Sequence, residues 1–203
     1  DDAVTAAKIN NDIISGSTEL ASEPADTDEF LVSDAGTLKR IDYSLIKGGG
    51  ITEADMFRIT ANTGSGTNGD ITSNLERCDD ASFQKIGTGM TESSGIFTFP
   101  STGIYLVRAN LTMQINSEDA CTVTIQATIN NSSYDEISPA HFRNDTNFTD
   151  GGYKSMADAF VDVTDTSNVK VKFVRGSFQT NSFIKGNTDR NDSAFTFIRL
   201  GDT

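Results

Sequence analysis

The feature that most constrains this chain is strict two-residue alternation of apolar and polar side chains, repeated in segment after segment of its second half. Between residues 103 and 115, Tyr105, Val107, Ala109, Leu111, Met113 and Ile115 share one face, and Asn110, Thr112 and Gln114 point the other way. In 121–129, Cys121, Val123, Ile125, Ala127 and Ile129 oppose Thr122, Thr124, Gln126 and Thr128. In 155–163, Ala157, Ala159, Val161 and Val163 oppose Asp158 and Asp162; in 169–175, Val169, Val171 and Phe173 oppose Lys170 and Lys172. A period of two over such lengths predicts antiparallel strands with one face on a core and one face toward water. Polar, glycine-bearing runs separate the strands at 62–69, 144–152 and 185–192. At least eight strands and no convincing helix beyond the N-terminal region predict an all-β jelly roll or related sandwich.

Two segments depart from the one-sided pattern. In 193–200, Phe195 and Phe197 lie on one face, with Ala194, Ile198 and Leu200 on the other; in 94–99, Ile96 lies opposite Phe97 and Phe99. Only 36% of the chain is hydrophobic, so a strand greasy on both faces suggests a surface shared with another subunit. Phe97, Phe99, Phe195, Phe197 and Ile198 are therefore expected at a subunit interface.

Gly48-Gly49-Gly50 has the backbone freedom of a hinge and divides the chain into 1–50 and 51–203. Ahead of it, residues 3–14 carry Val4, Ala7, Ile9 and Ile13 and suit one short helix. Residues 29–41 read as a hairpin, with Asp34-Ala35-Gly36 suiting a three-residue loop. Such a piece cannot bury a core of its own and must pack on other chains or stay loose. The start, Asp1-Asp2-Ala3-Val4, lacks an initiator Met and the pattern of a signal peptide, so the chain is expected to be a processed product or a fragment.

Chemistry is sparse. The net charge of −13 would repel a phosphate backbone, and no basic cluster offsets it, which argues against nucleic acid as a partner. No apolar run reaches the length needed for membrane insertion. A catalytic triad needs a histidine, and the one present, His141 in Pro139-Ala140-His141-Phe142, stands near no nucleophile motif and reads as an ordinary loop or edge residue. Asp158 and Asp162 share an exposed strand face and read as solvated charges rather than paired carboxylates. Two cysteines, Cys78 and Cys121, make no disulfide framework and no zinc signature; Cys121 reads as a buried free thiol. Asp145, Asn147 and Asp150 offer oxygen ligands close in sequence and are the candidate calcium ligands, although Asp and Asn suit any turn. No other cofactor is expected, and the chain reads as a non-enzyme.

The run Gly95-Ile96-Phe97-Thr98-Phe99-Pro100-Ser101-Thr102-Gly103-Ile104-Tyr105 resembles the signature of the C1q/TNF-like globular heads, with Gly95, Phe97, Pro100, Gly103 and Tyr105 at matching spacing. Residues 167–173 resemble the late turn and strand of that family, and 194–200 its closing strand. The resemblance spans roughly 55–203 and implies a ten-stranded jelly roll that trimerises about a threefold axis. The collagen-like stalk and the tryptophan of that family are absent, and none of its calcium ligands can be placed here.

Residues 3–9 and 26–41 resemble bacteriophage tail-fibre sequence, the first a shaft repeat and the second a segment that joins shaft to head. That resemblance implies a fibre on the virion surface, extracellular, with residues 1–50 as shaft end and linker that meet other virion proteins and 51–203 as the head. The head loops are the expected contact with a host-surface glycan or protein, with Asn144, Asn147, Phe148, Asn187, Asp189 and Arg190 as candidate contacts. The alternatives are a purely structural virion trimer (capsid decoration, head fibre or tail appendage) and a glycan-depolymerising enzyme, which would ordinarily show a longer repeating β-helix.

Overall fold

The computed structural model describes residues 16–47, 49–82, 84–116, 119–144 and 152–203. The chain divides between Gly50 and Ile51 into two compact units. The helix expected at 3–14 lies outside the described residues, as do Gly48, Asp145, Asn147, Phe148 and Asp150.

The first unit is a hairpin of β1 (Glu29–Asp34) and β2 (Thr37–Asp42), followed by a 3-10 turn at Tyr43–Leu45. Asp34 pairs directly with Thr37, so the loop holds two residues, not the three that the sequence suggested. Ala35 and Gly36 both have positive φ, 48° and 84°, the condition of a type I′ turn, whose twist matches that of the strands it joins. None of residues 16–47 is buried.

The second unit is a sandwich of two six-stranded antiparallel sheets. Its strands are β3 (Ala54–Ile59), β4 (Gly69–Asp70), β5 (Leu75–Arg77), β6 (Thr91–Ser93), β7 (Ile96–Thr98), β8 (Gly103–Gln114), β9 (Ala120–Thr128), β10 (Asp135–Arg143), β11 (Gly152–Val163), β12 (Lys170–Gly176), β13 (Phe183–Ile184) and β14 (Ala194–Gly201). One sheet runs β10-β9-β12-β7-β6, with β4 also on β12; the other runs β11-β8-β14-β3-β5, with β13 also on β8. The crossings that seat β14 between β8 and β3, and β12 between β9 and β7, give the jelly-roll winding. Among the described residues the sandwich has twelve strands, of which β4 and β13 are two-residue strands at the flanks of β12 and β8.

The alternating residues of β8 fill the core as the period requires: Tyr105, Val107, Ala109, Leu111 and Met113, with Ile115 just beyond the strand, are all buried. Ile129 does not follow its expected face and is exposed. The strand ends at Thr128, where the Asn130 carboxamide oxygen accepts from the Ser132 and Ser133 amides and turns the chain out.

Four of the five residues expected at a subunit interface need correction. Phe97, Phe99, Phe195 and Phe197 are at most 2% exposed, inside the single chain. Phe173 stacks on Phe195 at 3.6 Å between ring centroids, and Phe97 meets Phe57 and Phe173 edge-on and lies 5.0 Å from Phe197. The two sheets supply facing aromatics, so the phenylalanine face of each strand is its core face. Only Ile198 points outward, half-buried.

Candidate assembly face and loop end

The outer face of the β11-β8-β14-β3-β5 sheet is built by register. Phe160 pairs with Leu106, Leu106 with Ile198, and Ile198 with Ala54, whose other side bridges to Ile86. These five side chains form one apolar row across the sheet, because directly paired residues share a face and adjacent strands lie about 4.8 Å apart. Phe160 is 73% exposed and Ile86 45%. Met156 and Leu200 are exposed as well.

The row beside it is polar. Arg108 donates from Nε and an Nη to the two carboxylate oxygens of Asp158 at 2.7 and 2.9 Å. Asp158 is thus neither an isolated charge nor half of a carboxylate pair with Asp162, which lies four residues along the same strand. A shallow hollow of about 310 Å³ lies against Leu106, Arg108, Asp158, Ala159 and Phe160. Farther along, Asn110, Thr112, Lys154, Ser155, Asn191 and Asp192, with Leu111 and Met156, line a second, mostly polar hollow of about 400 Å³. The sheet face is therefore apolar at one end and polar at the other.

The polar end is where the loops gather. Gln114, the last residue of β8, pairs with Phe183, so β13 and the 185–192 loop that follows it lie toward this end. The 62–69 loop joins them: the Asn62 carboxamide accepts from the Gly186 amide at 3.1 Å, and Thr63 bridges Ile184. Arg175 ties this loop down, donating to Thr63 and Thr67 hydroxyls and to the Gly69 and Asp70 carbonyls. The opposite end holds Gly103, Val163 and Gly201, and the chain joins the head there: the Arg199 amide donates to the Glu53 carbonyl. Gly103 has φ +138°, and a Cβ on it would meet the Gly201 carbonyl at 2.5 Å, so this end is closed by a position that demands glycine.

The candidate contact residues divide. Asp189 and Arg190 are exposed on the 185–192 loop, where Arg190 pairs with Asp192. Asn187 is half-buried and its amide donates to the Ile59 carbonyl. Asn144 is a correction: it is 1% exposed, and its carboxamide donates to the Ile115 and Asn116 carbonyls. An Asn at a strand end looks like a turn residue in sequence, but here it fastens two loops from inside. His141 lies exposed on the edge strand β10.

Sequence reasoning missed the buried polar cluster beneath these loops. Asp119 is 1% exposed and accepts from the Ala120 amide, the Gln179 amide and the Cys121 thiol. Burial works to raise its pKa, but hydrogen bonds from Ser182, Cys121, Gln179 and Ala120 outweigh it and hold the carboxyl below its ordinary range. Burial, with Asp119 beside it, pushes the Cys121 thiol up to about 12. Cys78 is also a buried free thiol, set against the Asn191 carboxamide. The clue available in sequence was Asp119 two residues before Cys121 at the mouth of an alternating strand. Among the described residues no group of histidine, cysteine and acidic side chains is placed to hold a metal ion.

No family model and no curated protein matches the sequence. Solved structures do. Murine APRIL at pH 8.5 superposes with a TM-score of 0.54 at 8% identity, over 73% of this chain and 98% of that one. Eiger TNF from S. frugiperda gives 0.52 at 13% identity, over 74% of this chain and 93% of that one. The likeness is one of fold, and it makes the second unit a jelly roll of the TNF/C1q kind.

Proposed function

We propose that the protein is a non-catalytic attachment module: the head and shaft end of a homotrimeric bacteriophage fibre on the virion surface. The N-terminal unit meets other virion proteins, and the loops of the head meet a glycan or protein of the host surface. The observation that carries this reading is the apolar row Phe160–Leu106–Ile198–Ala54–Ile86, with Phe160 largely exposed on a sheet whose inner face already has a full core. A contiguous apolar surface of this kind marks a protein contact. A second and third copy of the head are its partners, and the Arg108–Asp158 pair beside it fixes how they meet.

Two further observations support the fibre reading. The resemblance of residues 26–41 to shaft-to-head segments lies directly before the head. The head also has polarity: it is joined at the Gly103 end, and the 62–69 and 185–192 loops lie at the other end. Loops at the far end of three parallel heads present three copies of each contact, which raises avidity without strengthening any one of them.

The test is the mass in solution. The protein should be a trimer at micromolar concentration, and Phe160→Arg should convert it to a folded monomer with unchanged far-UV circular dichroism. A monomeric parent at tens of micromolar overturns the reading. For the attachment step, labelled trimer should bind host cells, and Asp189→Ala/Arg190→Ala should bind less; equal binding removes this loop from the contact.

A further inference from the structure

We infer that the hairpin unit is itself a trimerisation element, in which the Leu31/Leu38 face of one copy packs on the Phe30/Ile41/Tyr43 face of the next around a threefold ring. Proximity of the three copies rests on the proposed trimeric head, because a short linker through Gly49 and Gly50 then holds them at high effective concentration.

The hairpin is well specified yet has nothing inside it. Six residue pairs set its register, and the Asp28 carboxylate accepts from the Ala25 amide to turn the chain into β1. The Tyr43 amide donates to the Asp28 carbonyl and closes the base. Yet Leu31 is 73% exposed, Leu38 70% and Leu45 74%. A lone two-stranded hairpin is marginal in water at best, so these side chains need a partner.

The distribution of the apolar residues says which partner. Ser33 pairs with Leu38 and Leu31 with Arg40, so Leu31 and Leu38 are diagonal neighbours on one face. Phe30 pairs with Ile41 on the opposite face, where the Phe30 ring lies 6.1 Å from that of Tyr43. A ring of identical units needs two different patches on each unit, because its contacts are head-to-tail. Two apolar faces on one thin hairpin meet that requirement, whereas a twofold pair would leave one face of each copy wet. Within one copy Lys39, Arg40 and Lys47 pair with Asp34, Glu29 and Asp26, and the acidic side chains left over make the ring tighter at higher salt.

The experiment is disulfide trapping in the full chain with Leu31→Cys/Ile41→Cys. The two positions are on opposite faces of the hairpin, so their Cβ vectors point apart and no bridge forms within one copy. Cys78 and Cys121 are buried and stay out of the exchange. Oxidation should give a covalent trimer on a non-reducing denaturing gel, and the parent should give none. Leu31→Asp/Leu38→Asp should raise the dissociation midpoint of the full-chain trimer by at least about tenfold. Residues 51–203 serve as the control, since every buried residue among those described lies there and the head has a complete core. A trapped trimer with a monomeric 51–203 upholds the hairpin and overturns assembly through the head face. Trimeric 51–203 with no trapped species, with dimers only, or with an unshifted midpoint overturns the hairpin ring and leaves the head reading standing.

Discussion

In the head, a strand is apolar where it faces the other sheet, and the result is an aromatic cluster with Phe97 and Phe195 fully covered. In the hairpin, apolar residues stand on both faces without alternation, Phe30-Leu31-Val32 being a continuous run, and neither face is buried. The difference is not in propensity or turn chemistry, since both units have well-formed ladders and glycine turns. It lies in the number of layers. Two sheets shield one another, whereas one hairpin has no second layer within its own unit. Backbone pairing sets the shape of a β unit, and a second layer gives it stability.

Substitutions can break or sharpen that contrast. The largest effect is expected from Phe97→Ala, which removes a ring in contact with Phe57, Phe173 and Phe197. It should cost the head about 3–5 kcal/mol in thermal or denaturant unfolding. Asp119→Asn should cost about 2 kcal/mol, because donors from Cys121 and the Gln179 amide lose a charged acceptor in a buried site. Its pH dependence has a definite sign. The folded carboxyl titrates below its ordinary 3.8, so its stabilisation is fully present above that value and is lost as pH falls through the lowered one. Parent and variant melting temperatures should therefore keep their full difference at neutral pH and converge only as pH falls well below 3.8. The smallest effect is expected from Leu38→Ser in a monomeric Phe160→Arg background, which should leave the melting of the head unchanged within about 0.5 kcal/mol, because Leu38 is exposed within one chain and belongs to a separate unit.

Much of the head was legible because a period of two is a local signal. Tyr105 through Ile115 announced both the strand and its inward face. What alternation cannot say is which of two apolar faces looks inward. Phe195 and Ile198 have opposite parity, and a single strand gives no reason to prefer either. The reading that sent the phenylalanines to a subunit interface failed there, since facing rings from Phe57 and Phe173 claimed them for the core. The apolar row was illegible for a different reason: Ala54, Ile86, Leu106, Phe160 and Ile198 come from five distant segments and are joined only by register. Asn144 and Asp119 were hidden because a polar residue beside a turn looks solvated, and only the fold shows that its partners are backbone groups under a loop.

The head begins at one end and carries the 62–69 and 185–192 loops at the other, and the long strands run between them. A load applied at the loops and resisted at the linker would act lengthwise along β3, β14 and β8. The ladder bonds from Ala54–Ile198 to Arg58–Ala194 would then be strained in shear, all together, instead of being peeled one after another.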